Sequence, residues 1–432
     1  MCYTGAMNWN YYRLNMKNLV TSVLVFIRWG LIAAVIGAAG GFLGVALHYG
    51  VHYADHLVQE HEFLLYLLPL AGLAIVAVYK GLKTQGLSTD TTFRAVQESG
   101  EITIRQIPAV LIGTVLTHLT GGSSGKEGAA LQIGGAAGNR IAVWLHMNED
   151  DRRFATMAGM AALFAAVFGL PVTATIFVTM VISVGTYWYS AVYPALAASL
   201  VADAISERFG IESMRFAIRV PDVGLVMMLK VAVLALLCAM ISTLMCDVIH
   251  ESHRQLKRFI KNDWLRIAVT GALIVVLMKL TGSTRYYGSG EQLIRAAFDG
   301  GGIYWFDFLL KMLLTALTLG AGFQGGEVMP SFAIGASFGY IAAPLLGIDP
   351  AFGAAIGLVS VFGGASNSLI APILLSIEIF GAGGLNYFAM AAIASYIMSG
   401  YTGFYYSQQI LFSKLHPERI EIHANEEHEE GL

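Results

Sequence analysis

Two glutamates in this chain each stand where a glycine-rich run gives way to an apolar one. Glu127 lies in Gly121-Gly-Ser-Ser-Gly-Lys-Glu-Gly-Ala-Ala130, and Glu327 in Gly322-Phe-Gln-Gly-Gly-Glu-Val328. A carboxylate at bilayer depth is expensive, so a functional role is the default expectation for it. The first amides of a helix lack internal partners and carry the positive end of its dipole, equivalent to about half a charge, and glycines let an ion approach that backbone closely. Two such helix starts meeting at mid-membrane would cradle a bare anion without the full positive charges that would trap it. The chemistry these residues point to is ion transport.

The elements that must position them read as membrane. With 56% hydrophobic residues, 13% charged and 48 glycines in 432 residues, the chain is too apolar for an ordinary soluble domain and fits an all-α polytopic protein. Phe154 to Ala202 contains no Asp, Glu, Lys, Arg or His, and Ile379 to Ser413 no Asp, Glu, Lys or Arg. A spanning helix needs about 20 such residues, so both stretches read as membrane segments. Further runs at Leu19–His48, Leu64–Tyr79, Ile107–His118, Val223–Met245, Ile267–Leu280 and Ile303–Ala321 bring the total to roughly ten or more helices, several too short to cross alone. The first run is interrupted by Arg28 and lacks a small-residue cleavage site, so it reads as retained rather than as a signal peptide.

The net charge of −3 argues against a nucleic-acid partner. Basic residues concentrate in His253–Lys261, which marks a link between two halves on the cytoplasmic face by the positive-inside rule. The expected organisation is a cytoplasmic segment 1–18, a first membrane repeat 19–250, a polar linker 251–264, a second repeat 265–413, and a short polar tail 414–432 without a regulatory domain. Glu418–Leu432 within it reads as a frayed end. Cys2, Cys238 and Cys246 make no disulfide framework, and the last two read as packing residues.

The halves are related by an internal repeat. Matching Ile133-Gly134 to Ile334-Gly335 sets a shift of 201, and the same shift carries Pro171 onto Pro372. Under it Glu127 faces Val328 and Glu327 aligns with Lys126, so the two acids are near-equivalents rather than counterparts. A two-fold architecture of broken helices follows.

Other chemistries compete for some of these residues. His48, His52 and His56 recur at four-residue spacing beside Asp55, where two could ligate a metal, but the end of a long apolar helix is also where histidines face headgroups. Met157–Met160 reads as packing. Gly121–Gly125 matches the Gly-x-Ser-x-Gly nucleophile pattern, so an intramembrane serine hydrolase is a remote alternative. Its base would have to be His118, too close in sequence to come from a facing helix. Thr120–Lys126 lacks the first glycine and the final hydroxyl of a phosphate loop. Glu378 reads as a cap or ion-pair partner at a boundary. No cofactor and no enzymatic activity are expected.

At the glycine-rich runs the chain resembles the CLC family of anion channels and proton-coupled anion antiporters, from about Leu19 to Lys414. Gly125-Lys-Glu-Gly128 is similar to that family's Gly-Arg/Lys-Glu-Gly-Pro signature, and Gly326-Glu-Val-Met-Pro330 to its Gly-x-Phe-x-Pro element, with Val328 in place of the phenylalanine. Phe404-Tyr-Tyr-Ser407 resembles the stretch supplying the inner-gate tyrosine, with Tyr405 the first choice and Tyr406 the second. Gly322–Val328 is similar to the Phe-x-Gly-Gly-Glu-Val stretch of the fluoride-exporting branch. Val181 stands where many chloride/proton exchangers have an internal proton-transfer glutamate, a loss shared by the fluoride branch and by channels. Two positions depart from the pattern: Met329 replaces a threonine common in the fluoride branch, and the selectivity-serine element survives only as something like Gly86-Leu-Ser-Thr89.

The resemblance implies a CLC-type fold of two inverted repeats and halide/proton antiport, most simply of fluoride, with chloride exchange or a chloride channel as the alternative. It makes Glu127 the gate and Glu327 a second proton-bearing acid. It places Gly86, Leu87, Ser88, Gly125, Lys126, Gly128, Gly326, Val328, Met329, Tyr405 and Tyr406 around the anion. It further implies a homodimer in a bacterial plasma membrane, with the lipid bilayer, protons and fluoride or chloride as partners.

Overall fold

The computed structural model describes residues 9–426, with side chains from residue 18 onward, so Cys2 and the end of the acidic tail lie outside the described residues. The first half of the chain forms α1 (Trp9–Glu60), α2 (Leu68–Gly81), α3 (Thr89–Gln97), α4 (Gln106–Leu119), α5 (Glu127–Trp144), α6 (Glu149–Phe168), α7 (Pro171–Val181) and α8 (Tyr189–Arg208). The second half forms α9 (Leu225–Phe259), α10 (Asp263–Thr281), α11 (Glu291–Asp299), α12 (Asp307–Ala321), α13 (Val328–Ala342), α14 (Pro350–Ser366), α15 (Ile370–Phe380) and α16 (Leu385–Met398). Five helical segments among the described residues are long and apolar enough to cross a membrane. Several others, among them α4, α7, α14 and α15, are apolar but too short to cross, as expected of helices that stop inside the protein where neighbours satisfy their ends.

The repeat is visible in the helix starts. A shift of 201 residues carries Gln106 onto Asp307, Glu127 onto Val328 and Glu149 onto Pro350, the first residues of α4 and α12, α5 and α13, and α6 and α14. It also carries the packing. A Cβ at Gly134 or Gly138 of α5 would meet the carbonyls of Gly159 and Ala155 at 2.2 and 2.1 Å, and one at Gly335 or Gly339 of α13 those of Gly357 and Gly353 at 2.4 and 2.2 Å. Backbones can cross this closely only where side chains are missing, the small-residue packing that holds helices together in lipid. These four helices are buried along most of their length, whereas α1, α9 and α10 turn Leu24, Phe26, Leu229 and Val276 outward. Apolar side chains facing out around a buried glycine-rich centre are what a hydrocarbon solvent permits.

Local chemistry accounts for the breaks. The charge-free stretch Phe154–Ala202 is cut into three helices: Gly169 ends α6 in a left-handed conformation (φ 67°), and Pro171 opens α7. Glu378 of α15 caps that opening, accepting from Val172 N at 3.1 Å and Thr173 N at 2.8 Å. The basic segment around His253 continues α9 to Phe259, and the chain turns only over 260–262, where Asn262 caps α10.

The end of the chain departs from an all-helical reading. Ile379–Ser413 is not one apolar span: α16 ends at Met398, and an aromatic loop leads into β2 (Gln409–Phe412). That strand pairs in parallel with β1 (Ser183–Val184) and antiparallel with β3 (Arg419–His423), making a three-stranded sheet. Glu418–Leu432 is therefore not a frayed end over its described part. Alternation of Ile420 and Ile422 with charged neighbours is the period-two pattern of a half-buried strand, a signal present in the sequence.

Candidate anion site

The two glycine loops ahead of α5 and α13 lie face to face and make the same bonds in both directions. Gly125 N donates to Gly326 O at 2.8 Å, and Gly326 N to Gly125 O at 2.9 Å. Ser123 N donates to Thr318 Oγ1 at 3.2 Å, and Gln324 N to Thr117 Oγ1 at 3.2 Å. Thr117 and Thr318 are 201 residues apart, so each repeat offers the other the same hydroxyl. No side chain fits between the loops: a Cβ at Gly128 would lie 2.6 Å from Gly325 O, and one at Gly326 2.4 Å from Gly128 N. In this arrangement the amides that precede the first ladder bonds, Ala130 N to Lys126 O in α5 and Ser331 N to Glu327 O in α13, come from opposite repeats.

The Glu127 carboxylate occupies this junction. It is wholly buried and folds back over Gly125, close enough that any Cβ there would overlap its oxygens. Oε1 accepts from Met329 N at 2.8 Å, while Oε2 is buried with no hydrogen-bond partner among the described residues. The acid of one repeat thus caps the helix of the other, where the dipole and a free amide favour any anion. Lys126 points elsewhere, donating to His48 Nδ1 at 3.2 Å. His52 stacks on His48 and His56 pairs with Glu60, so the histidine row is divided among different partners.

Below the junction a cavity of about 500 Å³ is lined by Glu327, Gly86, Leu87, Ser88, Tyr405 and Tyr406. Glu327, one residue before α13, faces this space, while Val328 and Met329 are buried. Gly86 adopts φ 79° in open space, so glycine there serves the turn. The amides that follow are engaged locally, Leu87 N with Thr84 O at 3.2 Å and Ser88 N with Thr91 Oγ1 at 2.9 Å. The two tyrosines differ. Tyr405 is 2% exposed, packs edge-on against Phe93, and its hydroxyl has no partner among the described residues; Tyr406 is 48% exposed and lies against His250.

Ser123 and Ser124 take part in the loop contact. Ser123 Oγ accepts from Lys311 Nζ at 2.9 Å and meets Thr315 Oγ1 at 3.0 Å, Ser124 Oγ donates to Gln324 O at 3.4 Å, and His118 is bonded to Asp55.

Residues 71–400 match the family model described as voltage gated chloride channel. The chain belongs to that family, the CLC proteins. It is 34% identical over 405 residues, 91% of this chain and 88% of the relative, to a chloride/fluoride channel protein of Pseudomonas syringae pv. tomato. An H+/Cl− exchange transporter of Vibrio cholerae serotype O1 is 29% identical over 299 residues, which cover 63% of this chain and 62% of that protein. Among solved structures, a CLC-type fluoride/proton antiporter superposes with a TM-score of 0.86 at 34% identity, covering 89% of this chain and 98% of that one.

Several residues of this CLC site escaped the sequence reading. Asp90 accepts from Ser407 N at 2.8 Å and Oγ at 2.7 Å, and Gln97 donates to Ser407 O at 2.8 Å, so α3 positions the tyrosine loop. An acid in the first turn after Ser88 was a legible helix-start signal. Tyr79 donates to Gln324 Oε1 at 2.8 Å. His253, Lys257 and Arg266 also line the cavity, the first two within the basic stretch read as a topology signal.

Proposed function

We propose that this CLC protein exchanges fluoride for protons across a bacterial plasma membrane, with Glu127 as the gate. One observation carries the reading: the Glu127 carboxylate takes a hydrogen bond from Met329 N at the start of the opposite repeat's helix, the place a transported anion would take. Ionised, it competes with halide for that amide and for both helix dipoles. Protonation removes the charge that holds it there, and its departure opens the amide to an anion. Proton and halide therefore alternate at one position and move in opposite directions. Glu327, at the top of the cavity, donates an O–H to a small hard anion when protonated and repels it when ionised. The basic residues His253, Lys257 and Arg266 in its lining support a cytoplasmic side for this cavity by the positive-inside rule.

Fluoride is favoured by the likeness to the chloride/fluoride channel protein and the fluoride/proton antiporter, and by Val181 at the internal-glutamate position. Met329 favours chloride as the second reading, because no side-chain hydroxyl stands where the fluoride branch commonly has threonine. Because α9 runs unbroken from Leu225 to Phe259, the division between the repeats is proposed to fall between α8 and α9 rather than at 251–264, and a homodimer is proposed for the assembly; cross-linking in native membranes tests the latter. Purified protein in liposomes, followed with fluoride and chloride electrodes and a pH probe, tests the function. Fluoride efflux accompanied by proton uptake is expected. Chloride/proton exchange without fluoride movement would transfer the assignment to the second reading, and ion movement without protons would remove the exchange mechanism.

A further inference from the structure

A second cavity, of about 210 Å³, lies at the other end of the α2–α10 pair from the first. The first takes in the C-terminal end of α2 and the N-terminal end of α10; the second takes in Gln59 and Tyr287, next to the opposite ends. Asp55 of α1 sits on its wall, with a side chain 25% exposed and pressed against Gly288, where a Cβ would come within 2.6 Å of Oδ1. Gly288 has φ 52°, so glycine is required there both for the backbone and for the carboxylate. Behind Asp55, and wholly buried, is His118 at the end of α4, its Nδ1 hydrogen-bonded to Asp55 Oδ1 at 2.9 Å. Its other nitrogen, Nε2, is buried without a hydrogen-bond partner among the described residues. Glu127 Oε2 is in the same condition across the glycine loop, and His118 and Glu127 interact electrostatically.

A buried imidazole with one nitrogen on a carboxylate at a cavity wall and the other unpaired, interacting electrostatically with a buried acid, has the parts needed to pass protons. We propose that Asp55 and His118 form a proton relay between this outer cavity and Glu127. Inward, with the ring as its Nε2–H tautomer, Asp55 takes a proton from cavity water and hands it to Nδ1, while Nε2–H passes through an intervening water to the Glu127 carboxylate; outward, each transfer reverses. An inward pass leaves the ring as the Nδ1–H tautomer; to reset, Nδ1 returns its proton to Asp55, the ring turns so that Nε2 takes a proton from cavity water, and it turns back. No bond to a heavy atom changes and no oxidant is needed. The surrounding charges include Lys126 and Lys311, the latter interacting electrostatically with both Asp55 and Glu127, and at the cavity Glu291, Arg295, His52 and His56.

The relay presupposes the exchange proposed above, and its test separates the two. His118→Gln keeps a donor for Asp55 but cannot shuttle. In liposomes its fluoride/proton exchange should fall by roughly tenfold or more. The residual rate should rise in proportion to proton concentration, because water must then protonate Glu127 unaided, whereas the unmodified protein shows a flatter pH profile. Fluoride binding to the detergent-purified variant, measured by calorimetry, should stay within about twofold. Exchange at the unmodified rate, an unchanged pH profile, or loss of fluoride binding along with exchange overturns the relay while leaving the exchange reading standing. Unmodified protein that moves fluoride without protons overturns both. If His118→Gln does not fold, Asp55→Asn at the cavity wall carries the same expectations and the same overturning results.

Discussion

The two glycine loops are built alike and carry their acids differently. In each, a left-handed glycine (Gly121, Gly322) ends a helix, a threonine on that helix receives an amide from the opposite loop, and two glycine peptides bridge across the pseudo-two-fold. The acid of the first repeat is the first residue of its helix, and that of the second is one residue earlier. That single step decides their surroundings: Glu127 turns into the sealed junction and caps the other repeat's helix, while Glu327 opens onto the lower cavity. One scaffold thus offers a buried competitor for the anion and a water-accessible donor toward it. Dipoles and free amides are common to both halves; the proton chemistry differs because register differs.

The largest effect that would sharpen this contrast is at the sealed acid. Glu127→Gln keeps an oxygen to accept from Met329 N and removes the proton, so proton coupling should vanish, with anion flux either lost or independent of pH. Fluoride-electrode and pH-probe traces from the same liposomes check it, and wild-type coupling in the purified variant would end the gating role. At the open acid the loss is one of affinity. Glu327→Gln replaces the acid's O–H with a weaker amide donor and cannot switch to an anion, so fluoride transport should drop by roughly tenfold. Cells made fluoride-sensitive should be protected by the unmodified protein and much less by this variant. Equal defects in proton coupling for the two variants would erase the distinction.

How much of this was legible beforehand follows from physical range. The helix starts, their glycines and the shift of 201 are local or periodic features, and the sequence showed them; the structure adds that helices begin at matched positions. The apolar runs identified membrane, but their boundaries failed where polarity carries no information, as in Ile379–Ser413, which holds a helix, a loop and a strand without a charge to mark the joins. Contacts between residues 202 or even 63 positions apart were beyond reach: nothing near Glu127 names Met329 as its donor, and nothing near Asp55 names His118. The tyrosine choice turned on burial, which follows from Asp90 and Gln97 holding Ser407.

That tyrosine pair gives a smaller test of which side of the lower cavity faces the ion. Tyr405→Phe removes a buried hydroxyl with no hydrogen-bond partner among the described residues, so stability should be little changed while fluoride flux shifts severalfold. Tyr406→Phe alters a half-exposed ring against His250 and should leave flux close to that of the unmodified protein. The reverse order would place Tyr406 at the ion's path.

The smallest effect asked of the comparison lies in the matched threonines. Thr117→Val and Thr318→Val each remove a hydroxyl that donates within its own helix, to Gly113 O at 2.9 Å and Leu314 O at 2.7 Å, and accepts from the opposite loop. Perfect symmetry would make the two losses equal. They differ because the amides left behind differ: Ser123 is wholly buried, while Gln324 lines the lower cavity, where water can replace the lost acceptor. An orphaned buried amide costs about 1–3 kcal/mol, and one that water can reach costs less. Thr318→Val should therefore lower the melting temperature in detergent more than Thr117→Val, although both mutations delete the same bonds on paper. A larger loss for Thr117→Val would mean that the Gln324 loop, not the Ser123 loop, is the drier of the two, and that the junction is sealed on the side assigned here to the cavity.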